Sequence, residues 1–135
     1  MTRVLLVTCV LVAVMTQAGC GFDGHTEEVT SVAFSPDGQY LLTSGHDGTA
    51  RLWDIKTGAE VRRFLGHDGS VHRARFTPDG HYIASCGNDG ILFWNTSDGT
   101  ETGRIKTDCL EISISGDGKR IATGDFDSMK VWDIT

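Results

Sequence analysis

The sequence holds only 2 prolines among 135 residues, and no cluster of basic residues larger than the pair Arg62–Arg63. The second absence bears on function. Nucleic-acid binders present a basic face, whereas here 12 Lys and Arg stand against 18 Asp and Glu, for a net charge of −6. That balance argues against nucleic acid as a partner, and against a membrane surface held by electrostatics alone. An apolar run long enough for a membrane helix is also missing. The longest, Val4–Met15, has twelve residues with Thr8 as its one polar member, and a spanning helix needs about 20. The chain lacks the Cys-x-x-Cys and His-x-x-x-His spacings of metal sites. It lacks a Gly-x-Ser-x-Gly nucleophile elbow, a phosphate loop, and an Asp-rich calcium loop closed by Glu.

Glycine, in contrast, is plentiful. There are 17, and eight follow an aspartate: Gly24, Gly38, Gly48, Gly69, Gly80, Gly90, Gly99 and Gly118. Asp-Gly favours tight hairpin turns, because glycine accepts positive φ without a Cβ clash. Repeated at short intervals, it predicts an all-β chain built from hairpins. The glycines have no three-residue period, which excludes collagen. Val, Ile, Leu, Phe, Tyr and Trp recur between the turns, which excludes disorder.

The first nineteen residues read as a leader rather than as fold. A charged start at Arg3, the apolar run and the small residues Ala18 and Gly19 occur in the order of a secretory signal peptide. Two processing outcomes stand: cleavage after Ala18, or lipidation of Cys20. Ala18-Gly19-Cys20 resembles the end of a bacterial lipoprotein lipobox, although Gln17 stands where that pattern has an apolar residue. We expect export, with lipid attachment at Cys20 the preferred outcome and residues 20–23 a short linker. Cys9 lies in the apolar run, which leaves Cys86 and Cys109. Export permits a disulfide between them; two small thiols on strands are the plainer reading.

From residue 24 onward the chain repeats itself. Gly24-His25 and Gly66-His67 are 42 apart, as are Ser35-Pro36-Asp37-Gly38 and Thr77-Pro78-Asp79-Gly80, and Ser115-Gly116-Asp117-Gly118 follows 38 later. Trp53-Asp54, Trp94-Asn95 and Trp132-Asp133 close each unit. Strands are expected at 29–34, 71–76 and 109–114, with second strands at 39–45, 81–87 and 119–125. Third strands end on the Trp residues, and fourth strands are expected at 60–65 and 102–106. Gly-His openings and Trp-Asp endings at this period mark four-stranded propeller blades. Over residues 24–135 the chain resembles the WD40-repeat family. The resemblance implies three blades, roughly 24–65, 66–106 and 107–135, the last incomplete: a partial, open or fragmentary, β-propeller.

The resemblance also implies a buried polar relay in each blade. Its members would be His25, Thr43, Asp47 and Trp53 in the first unit, and His67, Ser85, Asp89 and Trp94 in the second. In the third they would be Thr123, Asp127 and Trp132. A buried indole N–H needs an acceptor, which a hydroxyl supplies; the hydroxyl can then donate to an imidazole, and the imidazole to a carboxylate. Two departures stand out. The third unit has no Gly-His, so its relay lacks a histidine. The Asp-to-Trp spacing is six in the first unit and five in the others, which takes one residue from the turn between the second and third strands and predicts a change of register at the start of the third.

A Ser/His/Asp trio invites a hydrolase reading, but one that recurs from unit to unit beside a Trp, complete in the first two, is a fold device. We therefore expect no catalytic residues, no metal and no cofactor. In this family partners often bind the face beside the relay, which here would carry Glu28, His46, Ser70, Asn88, Asp108 and Phe126. The expected function is a non-catalytic scaffold or module binding a protein or peptide partner in the cell envelope. The alternative is a fragment of a propeller-type hydrolase or peptidase whose catalytic part lies elsewhere. Because Thr135 closes the third strand of its unit, a piece of a longer propeller is expected, with self-association as a second way to complete the ring.

Overall fold

The computed structural model describes residues 24–135; the leader, the 20–23 linker and Cys20 lie outside the described residues. All regular structure in this range is β, as expected. Sheet I comprises β1 (Val29–Phe34), β2 (Tyr40–Gly45), β3 (Thr49–Asp54) and β4 (Glu60–Leu65). Sheet II comprises β5 (Val71–Phe76), β6 (Tyr82–Gly87), β7 (Gly90–Asn95) and β8 (Glu101–Ile105). Sheet III has three strands, β9 (Glu111–Ile114), β10 (Arg120–Gly124) and β11 (Met129–Asp133). Each sheet is an antiparallel meander in chain order.

The turns explain why. After β1, Asp37 Oδ1 accepts from Ser35 Oγ at 2.6 Å and from the Gln39 amide at 2.9 Å, and Gly38 turns the chain at φ 72°. The same turn recurs at Gly80 and Gly118, with φ of 74° and 71°. A Cβ at Gly38 would meet no atom within 4 Å, so backbone conformation rather than space selects glycine there.

Because side chains alternate across a strand, each middle sheet face packs a different neighbour. Ile83, Leu92 and Trp94 of sheet II bury against Leu42, Leu52 and Phe64 of sheet I. The opposite face sends Ala84, Cys86 and Ile91 against Cys109, Ile112 and Ile121 of the third unit. Each fully buried side chain of this size contributes roughly 1.5–3 kcal/mol. The innermost strands add polar stitches: Thr30 Oγ1 donates to Val71 O at 2.6 Å, and Arg73 Nη1 donates to Thr30 O at 2.9 Å.

Three details differ from expectation. The shorter Asp-to-Trp spacing leaves the register intact, for Leu41 faces Trp53, Ile83 faces Trp94 and Ile121 faces Trp132. The missing residue comes out of the turn: β6 and β7 stay paired through Gly87 and Gly90, around Asn88 and Asp89 alone. Next, β9 begins at Glu111, two residues later than expected. Finally, Cys86 and Cys109 are not free thiols but form a disulfide, with 5.7 Å between their Cα atoms. Cys109 is drawn into the sheet II–III core instead of continuing the strand.

The bridge joins residues 23 apart, and closing a loop of that length stabilises a fold by about 3 kcal/mol. The double substitution Cys86→Ala/Cys109→Ala should lower the unfolding free energy by about that amount in urea titrations. Equal stability of the variant and the non-reduced parent would contradict the bridge.

Candidate functional site

The relay positions are built by four elements in each of the first two sheets: the loop before the first strand, the second strand, the turn after it and the third strand. In sheet I the Trp53 indole N–H donates to Thr43 Oγ1 at 2.8 Å, and Thr43 Oγ1 lies 2.7 Å from His25 Nε2. His25 Nδ1 lies 2.9 Å from Asp47 Oδ2. A hydroxyl has one proton to give. Having accepted from the indole it donates to Nε2, which leaves the imidazole proton on Nδ1 to face the carboxylate. Sheet II repeats the chain of bonds: Trp94 Nε1 donates to Ser85 Oγ at 2.8 Å, Ser85 Oγ lies 2.7 Å from His67 Nε2, and His67 Nδ1 bonds Asp89. Trp53, Trp94, Thr43 and Ser85 are all buried.

Sheet III keeps one link. Trp132 Nε1 donates to Thr123 Oγ1 at 3.2 Å, and Trp132 is half-buried. Asp127 is exposed and is not joined to Thr123; its amide donates to Asp125 Oδ1 at 3.1 Å. Asp125 organises that turn instead, also accepting from the Ser128 amide and hydroxyl. Those bonds hold its carboxyl down to about 2.

Sheet I carries residues that the relay pattern did not include. Arg51, 3% exposed, donates from Nη2 to Asp47 Oδ2 at 2.9 Å and from Nη1 to Glu60 Oε2 at 3.1 Å. Thr49 Oγ1 donates to Asp47 Oδ1 at 2.8 Å. Leu92, which faces Ser85 as Arg51 faces Thr43, takes the arginine's place in sheet II. Gly45 and Gly87 belong to the relay as well, since a Cβ on either would sit 2.7 Å from the Nδ1 of its histidine.

The relay is electrostatically settled. Burial is the largest influence on His25 and lowers its pKa, only partly offset by Asp47. Burial would raise Asp47, but hydrogen bonds from Thr49 and the His25 charge and hydrogen bond outweigh it and bring the carboxyl to about 2. A neutral imidazole beside an ionised carboxylate is the resting state at neutral pH.

A second group of side chains lies at the surface beside the relay. His46 Nδ1 is 3.0 Å from Ser70 Oγ, and its Nε2 is 3.8 Å from Glu28. His72 Nε2 is 2.6 Å from Asn88 Oδ1, and the His46 and His72 rings meet edge to face at 6.4 Å. The fold therefore brings Glu28, His46, Ser70 and Asn88 together through His72, which the sequence reading did not place there. Asp108 and Phe126 do not join this cluster. Asp108 is exposed, with Thr107 on its carbonyl, and Phe126 stands 94% exposed in the β10–β11 turn. Among the described residues no group of three or more His, Cys, Asp or Glu is arranged to hold a metal ion.

The family model for the WD domain, G-beta repeat, matches residues 16–54 and 58–95, more than half of the chain. The chain belongs to the WD40-repeat family. The third unit falls outside both matched segments, and it is also the unit without a histidine. Curated relatives match over about one repeat of this WD40 chain. The ribosome biogenesis protein ERB1 of Debaryomyces hansenii is 48% identical over 40 residues, 30% of this chain and 5% of that protein. The target of rapamycin complex subunit wat1 of Schizosaccharomyces pombe is 44% identical over 43 residues, 32% of this chain and 14% of its own length. The cross-pathway control WD-repeat protein 2 of Flammulina velutipes is 54% identical over 41 residues, 30% of this chain and 13% of its own. The matched stretch is thus a small fraction of each of these relatives.

The two relays differ in what a lost carboxylate leaves behind. Asp47→Ala strips a nearly buried Arg51 of one carboxylate and should destabilise by roughly 3–5 kcal/mol, clearly more than Asp89→Ala. The sign with pH follows from the lowered Asp47 pKa. The carboxylate's contribution is complete above the unfolded value near 4 and is lost as pH falls through about 2. Urea midpoints measured from neutral to acid pH should show the parent–Asp47→Ala gap closing over that window. Equal effects of the two variants would refute the distinction.

Proposed function

We propose that this WD40 segment is a non-catalytic scaffold or binding module for a protein partner. One observation carries the reading: the hydroxyl, histidine and aspartate of the repeated trio are bonded into a buried relay that recurs from sheet I to sheet II. A nucleophile needs an exposed oxygen within reach of substrate, and Thr43 and Ser85 have 0% exposure. What the relay presents outward is the cluster of Glu28, His46, Ser70, His72 and Asn88, polar and joined across two sheets. The relatives named above include a subunit of a complex, which agrees with a role in assembly.

The proposal includes export and a longer propeller. The Val4–Met15 run and the Ala18-Gly19-Cys20 sequence support a cleaved or lipid-attached leader. The Cys86–Cys109 disulfide supports it independently, because such bridges persist in oxidising compartments. Further blades from the same or another chain would then complete the ring.

Ser70→Arg places a bulky charge at the centre of the cluster on a loop outside the core. Co-purification of partner from the native host should fall about tenfold or more with this variant, with an unchanged melting temperature. Undiminished co-purification would remove the cluster from the interface.

A further inference from the structure

Arginine is matched by carboxylate almost throughout this acidic chain. Arg51, Arg63, Arg73, Arg75, Arg104 and Arg120 each meet a carboxylate oxygen at 2.7–3.6 Å. Arg62 is the exception among the described residues, with no carboxylate oxygen within 4.0 Å. Its guanidinium crosses from β4 to sheet II and meets backbone carbonyls instead. Nη2 donates to Ser97 O at 2.6 Å and Nη1 to Asp98 O at 2.8 Å. The Asp98 carboxylate is engaged elsewhere, accepting from the Thr100 amide at 2.9 Å and hydroxyl at 2.7 Å. Gly99 leaves room for the arginine stem, since a Cβ there would lie 2.8 Å from Arg62 Cδ.

Arg62 lines a groove of about 410 Å³ between sheets I and II. No carboxylate lines it, and Arg62 is its one fixed charge. Two polar side-chain atoms among the described residues are buried without a hydrogen-bond partner, and they are Arg62 Nε and Thr96 Oγ1. Both belong to the lining of this groove. Native interiors hold few such orphans, because a buried polar group without a partner is unfavourable. Here an N–H and a hydroxyl, both able to donate, occur together with an uncompensated positive charge. All three features call for the same thing, an anionic acceptor.

We propose that the groove between sheets I and II is a docking site for a carboxylate side chain carried by a peptide segment of a protein partner. A carboxylate only accepts, through two oxygens. One oxygen takes the Arg62 Nε–H in a charge-assisted bond, and the other takes the Thr96 hydroxyl. Arg62 and Thr96 are themselves half-buried, so rotation of the hydroxyl and a small turn of the arginine stem bring both donors to the groove. Tyr40, Leu52 and Val61 supply apolar surface for a neighbouring residue of the segment. The single charge of a carboxylate matches the single arginine, whereas a phosphate brings nearly two charges and three strong acceptor oxygens. The groove opens at the Tyr82 end of β6, opposite Asn88 and the surface cluster, so it stands or falls separately from that cluster.

The test titrates the full isotope-labelled chain with acetyl-Leu-Glu-Leu-amide and with its neutral glutamine counterpart, following the Arg62 Nε–H and backbone amide signals by NMR. The glutamate peptide should move the signals of Arg62 Nε–H, Thr96 and Ser97 and bind about tenfold more tightly than the glutamine peptide. Arg62→Gln should erase the difference between the two peptides. Thr96→Val should weaken glutamate binding about fivefold. It replaces an unpaired hydroxyl by a methyl of the same shape, so it keeps the test decisive should Arg62→Gln fail to fold. Equal binding of the two peptides would overturn the proposal, as would silence at the groove signals or unchanged binding by Thr96→Val. Tighter binding of the phosphoserine counterpart than of the glutamate peptide would assign the groove to phosphorylated segments, which also overturns it.

Discussion

The buried indole N–H of Trp53 and Trp94 is the constraint from which the rest of the structure follows. An unpaired N–H in a packed interior loses a few kcal/mol of hydration, so each Trp requires a hydroxyl on the adjacent strand. Thr43 and Ser85 meet that need at 2.8 Å. The hydroxyl must then place its own proton, which calls for an imidazole acceptor. The imidazole in turn presents a proton that a carboxylate accepts. Each requirement fixes a residue on a different element, so one chain of hydrogen bonds ties together a loop, two strands and a turn.

Where that chain is shortened, the third unit is held together differently. Sheet III has the hydroxyl but no histidine; its Trp132 bond lengthens to 3.2 Å and its turn is organised by Asp125. The sheet is held to its neighbour by other means: the Cys86–Cys109 bridge, the Ile112–Ile121 core and the Arg73–Glu111 ion pair at 2.7 Å. A covalent link thus sits at the junction where the polar relay is weakest.

Much of this organisation is legible in the sequence because it rests on local chemistry at a fixed period. Asp-Gly turns, β-branched runs and terminal Trp residues locate the strands to within one or two positions. The rest depends on three-dimensional neighbours. Arg51 looks like an ordinary strand residue until Asp47 and Glu60 converge on it, and His72 acquires a setting only when β5 places it beside Asn88. The disulfide was one of two open readings because proximity across sheets leaves no mark in spacing. The shorter spacing does come out of the turn between β6 and β7, as expected, but the strands keep their register because the two-residue turn absorbs the whole loss.

Exchange of the three indole N–H protons with solvent, followed by NMR, tests the central claim most directly. The account predicts slow exchange at Trp53 and Trp94, near the rate of the most protected backbone amides, and much faster exchange at Trp132. Rapid exchange at all three, or protection of Trp132 equal to the others, would contradict it.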